Sequence, residues 1–370
     1  MNLNIFGKID KTLFASVLVL ISIGLIIILS TSYSSVGTDL TNFKKQFIFS
    51  LVGIILMFGV SSFNYRTLKN YTGILYILSC IVLAVVLSSG LIIRGTSSWF
   101  DFGFFNFQPS EIVKIAIVVI MAKYLSRNVY TNDIKKILIS GMYILLPVSL
   151  ILLQPDFGSA MVIIFVWFSM LFASGIKKKF VVLIMVFGLI VAATSWVYVL
   201  KDYQKDRIVT FVNPQSDPKG AGYNVNQSII AIGSGEFWGK GLGHGSQSQL
   251  NFLPEKHTDF IFAVIAEEMG FIGVMLVLTV FGVIFYRLFK ITEETQDNFG
   301  KFLIIGTALM LMFHVIVNVG MNIGIMPVTG IPLPFISYGG SSLVSFLIII
   351  GIVQGVFIRG RGYKIENGDE

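Results

Sequence analysis

Ten times along this chain, apolar residues run on for about the 20 positions an α-helix needs to cross a hydrocarbon core about 30 Å thick. That pattern leaves few folds open. In lipid every backbone N–H and C=O must be satisfied within the protein, so only helices or a closed barrel can span. The ten-residue alternation of barrel strands is missing. Hydrophobic residues make up 55% of the chain and charged residues 13%, about half the charge of a soluble domain. The expected fold is all-α: a polytopic integral membrane protein of about ten transmembrane helices and one long ordered extracytoplasmic loop. The spans fall at about 13–30, 44–61, 71–93, 110–125, 137–153, 158–175, 180–200, 259–286, 302–325 and 340–358. The fourth is short and begins at a proline. The eighth is long, and Gly270 and Gly273 are placed to bend it. Residues 1–370 read as a single membrane domain, without an internal repeat and with nothing after Gly360 long enough for another.

A net charge of +7 would suggest nucleic acid in a soluble protein. Here topology accounts for it, and no nucleic-acid partner is expected. With a cytoplasmic N-terminus, the inner connections hold Lys8, Lys11, Arg66, Lys69, Lys123, Arg127, Lys135, Lys136, Lys177, Lys178, Lys179, Arg287, Lys290, Lys301, Arg359, Arg361 and Lys364. The short outer ones hold only Lys44, Lys45 and Arg94. Both termini are therefore expected in the cytoplasm. The first run follows Lys8 and Lys11 but lacks a small-residue cleavage site, so it reads as a retained span. Cys80 has no partner for an intrachain disulfide, and His244, His257 and His314 lack metal-site spacing.

The one long connection, about 201–258, carries aromatics and a short helical pattern around Asn226 to Ile232, which favours order. It closes on Lys256-His257-Thr258-Asp259, which runs straight into Phe260-Ile261-Phe262. A carboxylate, an imidazole and an ammonium thus crowd where a membrane helix meets water. Asp259 or Thr258 would serve as a helix N-cap. Alternatively, Asp259 is a general base in a partly dehydrated mouth, its basicity set by burial and by Lys256 or a bound cation.

Gln108-Pro109-Ser110-Glu111 opens the fourth span, with Lys114 one turn in. Pro109 suits a first helical turn. Glu111 and Lys114 share a helix face and can pair. An ionisable residue inside a span is costly, so the pair is either structural or functional. Trp99 is an interfacial anchor or a substrate contact, lying between Arg94 and the Gln108 turn. Gln154-Pro155-Asp156 repeats the Gln-Pro-acid pattern, and a turn with a cap explains most of it. His314, Asn318 and Asn322 make one polar stripe, either interhelical hydrogen bonding or a cavity wall. Glu267 and Glu268, two turns below Asp259, need partners or water. Glycines 233, 235, 239, 241, 243 and 245 could offer N–H groups to a phosphate, a weak signal with no strand–helix unit around it. Pro327, Pro332 and Pro334, then the run from Ser337 to Ser342, form a stiff turn into the last span. All these clusters fall on the outer side or within two turns of it, which implies one shared outward-opening cavity.

At these residues the chain resembles the SEDS family (shape, elongation, division and sporulation). The resemblance covers nearly the whole chain, and is most specific at 105–114, 152–160, 213–241, 247–273 and 330–343. The Gly-Ser-Gln-Ser-Gln-Leu-Asn-Phe run at 245–252 resembles the rod-elongation branch more than the division branch. The resemblance implies a ten-span glycosyltransferase. It would polymerise lipid II, the undecaprenyl-pyrophosphate-linked disaccharide pentapeptide, into glycan strands outside the plasma membrane. It also implies a class B penicillin-binding protein and other rod-complex membrane proteins as partners. The family's essential acid falls on Asp259, its tryptophan on Trp99, and its intramembrane acid–base pair on Glu111 and Lys114. Where many members have a basic residue before the tryptophan, this chain has Ser98, leaving Arg94 as a substitute phosphate contact. Gln108, Asp156, Lys256, His257 and Ser337 complete the expected supporting set.

Chain growth from an α-linked donor to a β-linked product is an inverting single displacement. Pyrophosphate leaves readily, so one carboxylate base and cationic compensation should suffice, without the second acid a glycosidase needs. Lys114, Lys256, Arg94 or a divalent cation (Mg²⁺ or Mn²⁺) would supply that compensation. A flippase for a lipid-linked precursor is the alternative, although repeated halves and broken midplane helices are what transporters show. A non-catalytic scaffold would not require Lys114 inside the membrane.

Overall fold

The computed structural model describes residues 8–34, 37–93, 96–103, 106–127, 133–198, 205, 209–211, 220–250 and 252–366. Arg94 lies outside them. Seven long helices come first: α1 (Lys11–Ser32), α2 (Thr41–Ser62), α3 (Tyr65–Ser89), α4 (Pro109–Arg127), α5 (Ile134–Leu153), α6 (Phe157–Ala173) and α7 (Lys178–Tyr198). The shorter α8 (Ala221–Ser234) and α9 (Ser246–Gln249) follow, then α10 (Ile261–Glu294), α11 (Asn298–Asn322) and α12 (Gly340–Glu366). Among the described residues, eight helices are long and apolar enough to cross a membrane. The other two long ones are α6, of 17 residues, and α4, whose apolar run is broken by Glu111 and Lys114. Together these ten match the expected spans.

Local sequence sets the helix starts. Asp10, Asn64, Asp133, Asp156 and Asp297 each accept a hydrogen bond from a first-turn N–H, satisfying donors the helix itself leaves open. Pro109 opens α4 as expected. Close packing then depends on small residues. A Cβ on Gly351 of α12 would stand 2.6 Å from Met57 O of α2, so only glycine lets those backbones approach. At the center, α4 is buried along most of its length, Glu111 and Lys114 included.

The third span is displaced rather than shortened: α3 covers 25 residues but begins and ends earlier than the expected 71–93. α3 ends at Ser89, and the chain turns back as a strand, β1 (Leu91–Ile93), antiparallel to β2 (Thr96–Asp101). A further short strand, β3 (Asn106–Phe107), pairs with β2 on its other side. This small sheet carries Trp99 over the bundle end where α4 begins.

α10 is one element by length but breaks at Gly270, whose φ of 65° and ψ of −164° are not helical. The segment after α8 fills the gap. Lys240 N donates to Glu267 O at 2.9 Å and Gly241 N to Glu268 O at 3.0 Å, while Phe271 N returns to Glu236 O at 2.9 Å. Irregular backbone is tolerable at this depth only where the protein itself satisfies it. Gly273, the other expected bend, stays helical. The helix expected around Asn226 to Ile232 is α8.

Candidate active site

Asp259, Trp99, Gln108, Glu111 and Asp156 line one cavity of about 170 Å³. Its rim is completed by the turn before α12, through Thr329, Tyr338, Ser341 and Ser342 among others. Five separate parts of the sequence therefore meet here: the small sheet, the start of α4, the start of α6, the approach to α10, and the proline-rich turn.

The backbone leading to Asp259 is pinned at three consecutive carbonyls. His257 O accepts from Tyr338 N at 2.8 Å, and Thr258 O from the Ser337 hydroxyl at 2.7 Å. Asp259 O accepts from the side-chain amides of Asn318 at 3.1 Å and Asn322 at 2.9 Å. Ser337 also accepts from Leu333 N, and its carbonyl takes an N–H from Gln46 of α2. The carboxylate of Asp259 is half-buried at the end of this support.

That arrangement corrects one expectation. Neither Asp259 nor Thr258 is the N-cap of α10; the cap position is Phe260, with no side-chain capping bond. Asn322 performs the task from another helix, its Oδ1 accepting from Ala263 N at 3.1 Å. The stripe on α11 is thus a hydrogen-bonding device, and its third member explains the next wall. His314 Nδ1 lies 2.8 Å from Met310 O, so it must carry the proton there. Its Nε2 is then an acceptor for Lys114 Nζ at 3.3 Å, and Lys114 also donates to Glu111 Oε1 at 2.7 Å. Glu111 reaches the cavity; Lys114 stands behind it.

Asp156 is held as firmly. Its Oδ2 accepts from Gln108 Nε2 at 2.9 Å and Ser110 Oγ at 3.3 Å, and its Oδ1 caps α6 through Ser159 N at 3.0 Å.

Other expected contacts fall elsewhere. Lys256 is buried but turns away from the cavity, donating to Ser248 O at 2.6 Å. His257 faces Thr31, with Nδ1 2.9 Å from Oγ1. Burial first, and the Lys256 charge second, pull its pKa down to about 4, so the ring is neutral near pH 7. Ser337 acts through the backbone rather than at the cavity surface. The glycine-rich segment offers no free cradle: the N–H groups of Gly239, Lys240 and Gly241 are spent on Gly235, Glu267 and Glu268 carbonyls. Glu267 and Glu268 find the partners they needed. The first accepts from Gln247 N and Ser248 N, the second from the Ser30 hydroxyl and Gln249.

A resident metal does not fit these residues. Among the described residues no three acidic, His or Cys groups stand close enough to hold one. Both oxygens of Asp156 are already engaged, and Glu111 is paired with Lys114.

A profile of the cell cycle protein family of FtsW, RodA and SpoVE matches residues 10–360. The chain belongs to that family. Peptidoglycan glycosyltransferase MrdB of Escherichia coli K12 is 37% identical to it over 347 residues, covering 94% of this chain and 93% of its own. Stage V sporulation protein E of Bacillus subtilis is 34% identical, with 94% and 96% covered. Among solved structures, a chain of a peptidoglycan synthase complex aligns with a TM-score of 0.80 at 30% identity, covering 94% of this chain and 97% of that one. Thermus thermophilus RodA aligns at 0.71 and 29%, covering 94% and 96%. The FtsW, RodA and SpoVE match takes in every residue of the cavity, the long connection and the broken α10.

Proposed function

We propose that this protein is a peptidoglycan glycosyltransferase that polymerises lipid II into glycan strands during cell elongation, with Asp259 as general base. One observation carries the reading: a half-buried carboxylate lines a cavity of mixed polarity at one end of a membrane bundle, on a backbone fixed by four donors at three carbonyls. The membrane relatives named peptidoglycan glycosyltransferase support it.

The chemistry needs little else. Asp259 accepts the proton of the acceptor sugar's 4-hydroxyl as that oxygen attacks the donor's anomeric carbon. The carbon–oxygen bond to pyrophosphate breaks in the same step, and the configuration inverts. A positioned base contributes about 10²–10⁴-fold. Trp99 offers a flat face to a sugar ring, and Gln108, Ser341 and Ser342 offer hydrogen bonds. Lys114 acts through Glu111, and with Lys256 turned away the hydroxyl and amide rim would carry much of the pyrophosphate contact. A divalent cation arriving on the pyrophosphate would count as part of the substrate.

The charge distribution supports an orientation with both termini cytoplasmic and this cavity extracytoplasmic. A class B penicillin-binding protein is the expected partner, with other rod-complex proteins; the synthase-complex relative supports the pairing. The test is purified protein with lipid II, with and without that partner and with Mg²⁺ or Mn²⁺. Glycan ladders are expected. Movement of lipid II between leaflets without ladders would overturn the reading in favour of a flippase.

A further inference from the structure

At the end of the bundle opposite Asp259, a second cavity of about 350 Å³ opens between α3, α4 and α5. Its walls include Gly73 and Tyr76 of α3, Lys123, Tyr124 and Arg127 of α4, and Tyr143 of α5. The rings interlock: Tyr143 meets Tyr76 and Tyr124 edge to face, with centroids 6.1 Å and 5.8 Å apart. The Tyr124 hydroxyl donates to Lys136 O at 2.6 Å, which ties α4 to the start of α5.

Two cations share this pocket without a carboxylate. Lys123 is half-buried and Arg127 exposed, and neither forms an ion pair among the described residues. Asp133, the nearby acid, is engaged at the start of α5, accepting from Lys135 N at 2.9 Å. Lys123 and Arg127 are four residues apart on one helix face, where like charges repel unless an anion sits between them. Outside the mouth the surfaces turn apolar. Ile74, Ile77 and Leu78 of α3 and Leu138, Met142 and Leu145 of α5 are all exposed.

We propose that this cavity binds an anionic phospholipid. The phosphate sits between Lys123 and Arg127, the glycerol region against the tyrosines, and the acyl chains along the apolar faces of α3 and α5. Basic pockets between membrane helices near the headgroup level are suited to this chemistry. A free phosphate would use the same cations but would gain nothing from the flanking apolar surfaces.

The full chain, reconstituted in bilayer discs of equal phosphatidylglycerol and phosphatidylcholine, should retain phosphatidylglycerol above the bulk ratio in native mass spectrometry. Its thermal midpoint should also rise relative to phosphatidylcholine alone. Lys123→Gln with Arg127→Gln should lower the enrichment by roughly tenfold. Lys178→Gln with Lys179→Gln removes equal charge from the exposed start of α7 at the same end and should leave it unchanged. Gly73→Leu keeps both cations but fills the space, since no atom lies within 4 Å of a Cβ built there, and should also release the lipid. Equal loss in the two charge variants would overturn the proposal. So would retention in Gly73→Leu, or the same midpoint rise from inorganic phosphate in phosphatidylcholine discs.

Discussion

Asn322 holds Asp259 from a different helix, donating to its carbonyl at 2.9 Å while accepting from Ala263 N at 3.1 Å. One amide therefore fixes both the exit of the long connection and the first turn of α10. Asn322 is itself locked, because the Ser228 hydroxyl of α8 donates to its carbonyl at 2.8 Å. The proposed base sits where three helices are tied together.

Asn322→Ala leaves the Asp259 carbonyl with Asn318 alone and strips the α10 start of its acceptor. Each unsatisfied buried group costs about 1–3 kcal/mol. A base displaced by about 1 Å loses on the order of 100-fold in rate. Glycan synthesis should fall by that order while folded protein is still recovered. Near-normal turnover in a correctly folded variant would show that the tie does not position Asp259.

Breaking the Glu111–Lys114 pair on one side strands a charge between α4 and α11. Glu111→Ala should destabilise the protein by about 3–5 kcal/mol, while Glu111→Leu with Lys114→Met should recover most of that loss. Glycan synthesis should stay low in both. Thermal midpoints and glycan assays on the same preparations separate the structural role from the functional one. Full activity in the double variant would make the pair structural only.

His257 gives a pH dependence with a defined sign. Its folded pKa of about 4 lies below the unfolded value of about 6.5. The stability it contributes is fully present above about pH 6.5 and drains away as the pH falls toward 4, because the unfolded chain binds the extra proton first. Thermal midpoints across this window should decline, and His257→Gln should flatten the slope. An unchanged slope would locate the titration elsewhere.

At Gly270, φ is 65° and a Cβ would stand 2.3 Å from Gly239 N. Gly270→Ala should cost well over about 1 kcal/mol and detach the 236–241 segment from α10. Faster hydrogen exchange at Lys240 and Gly241 would report it; unaltered exchange would mean the break tolerates a side chain.

The spans were legible because a bilayer imposes a length and a polarity on every helix. The paired Glu111 and Lys114 were legible for a related reason: three-residue spacing dictates a shared face. What the sequence did not show was which residue answers which across the bundle. Asn318 and Asn322 stood out as a stripe, but their target is a backbone carbonyl 59 and 63 residues away, and carbonyls leave no mark in a sequence. Lys256 looked like a phosphate ligand because it neighbours Asp259 in the chain. In space it turns toward Ser248, where the buried ammonium donates to a backbone carbonyl. The small sheet over the cavity was missed for a third reason: its strands are two to six residues long, too short for periodicity to register.

The most direct test compares wild type with Asp259→Ala for both lipid II binding and glycan synthesis, in the presence of the transpeptidase partner. Asp259→Ala should bind lipid II within a few-fold of wild type yet make glycan about 10²–10⁴-fold more slowly. Glycan ladders of normal length and rate from Asp259→Ala would contradict its role as general base.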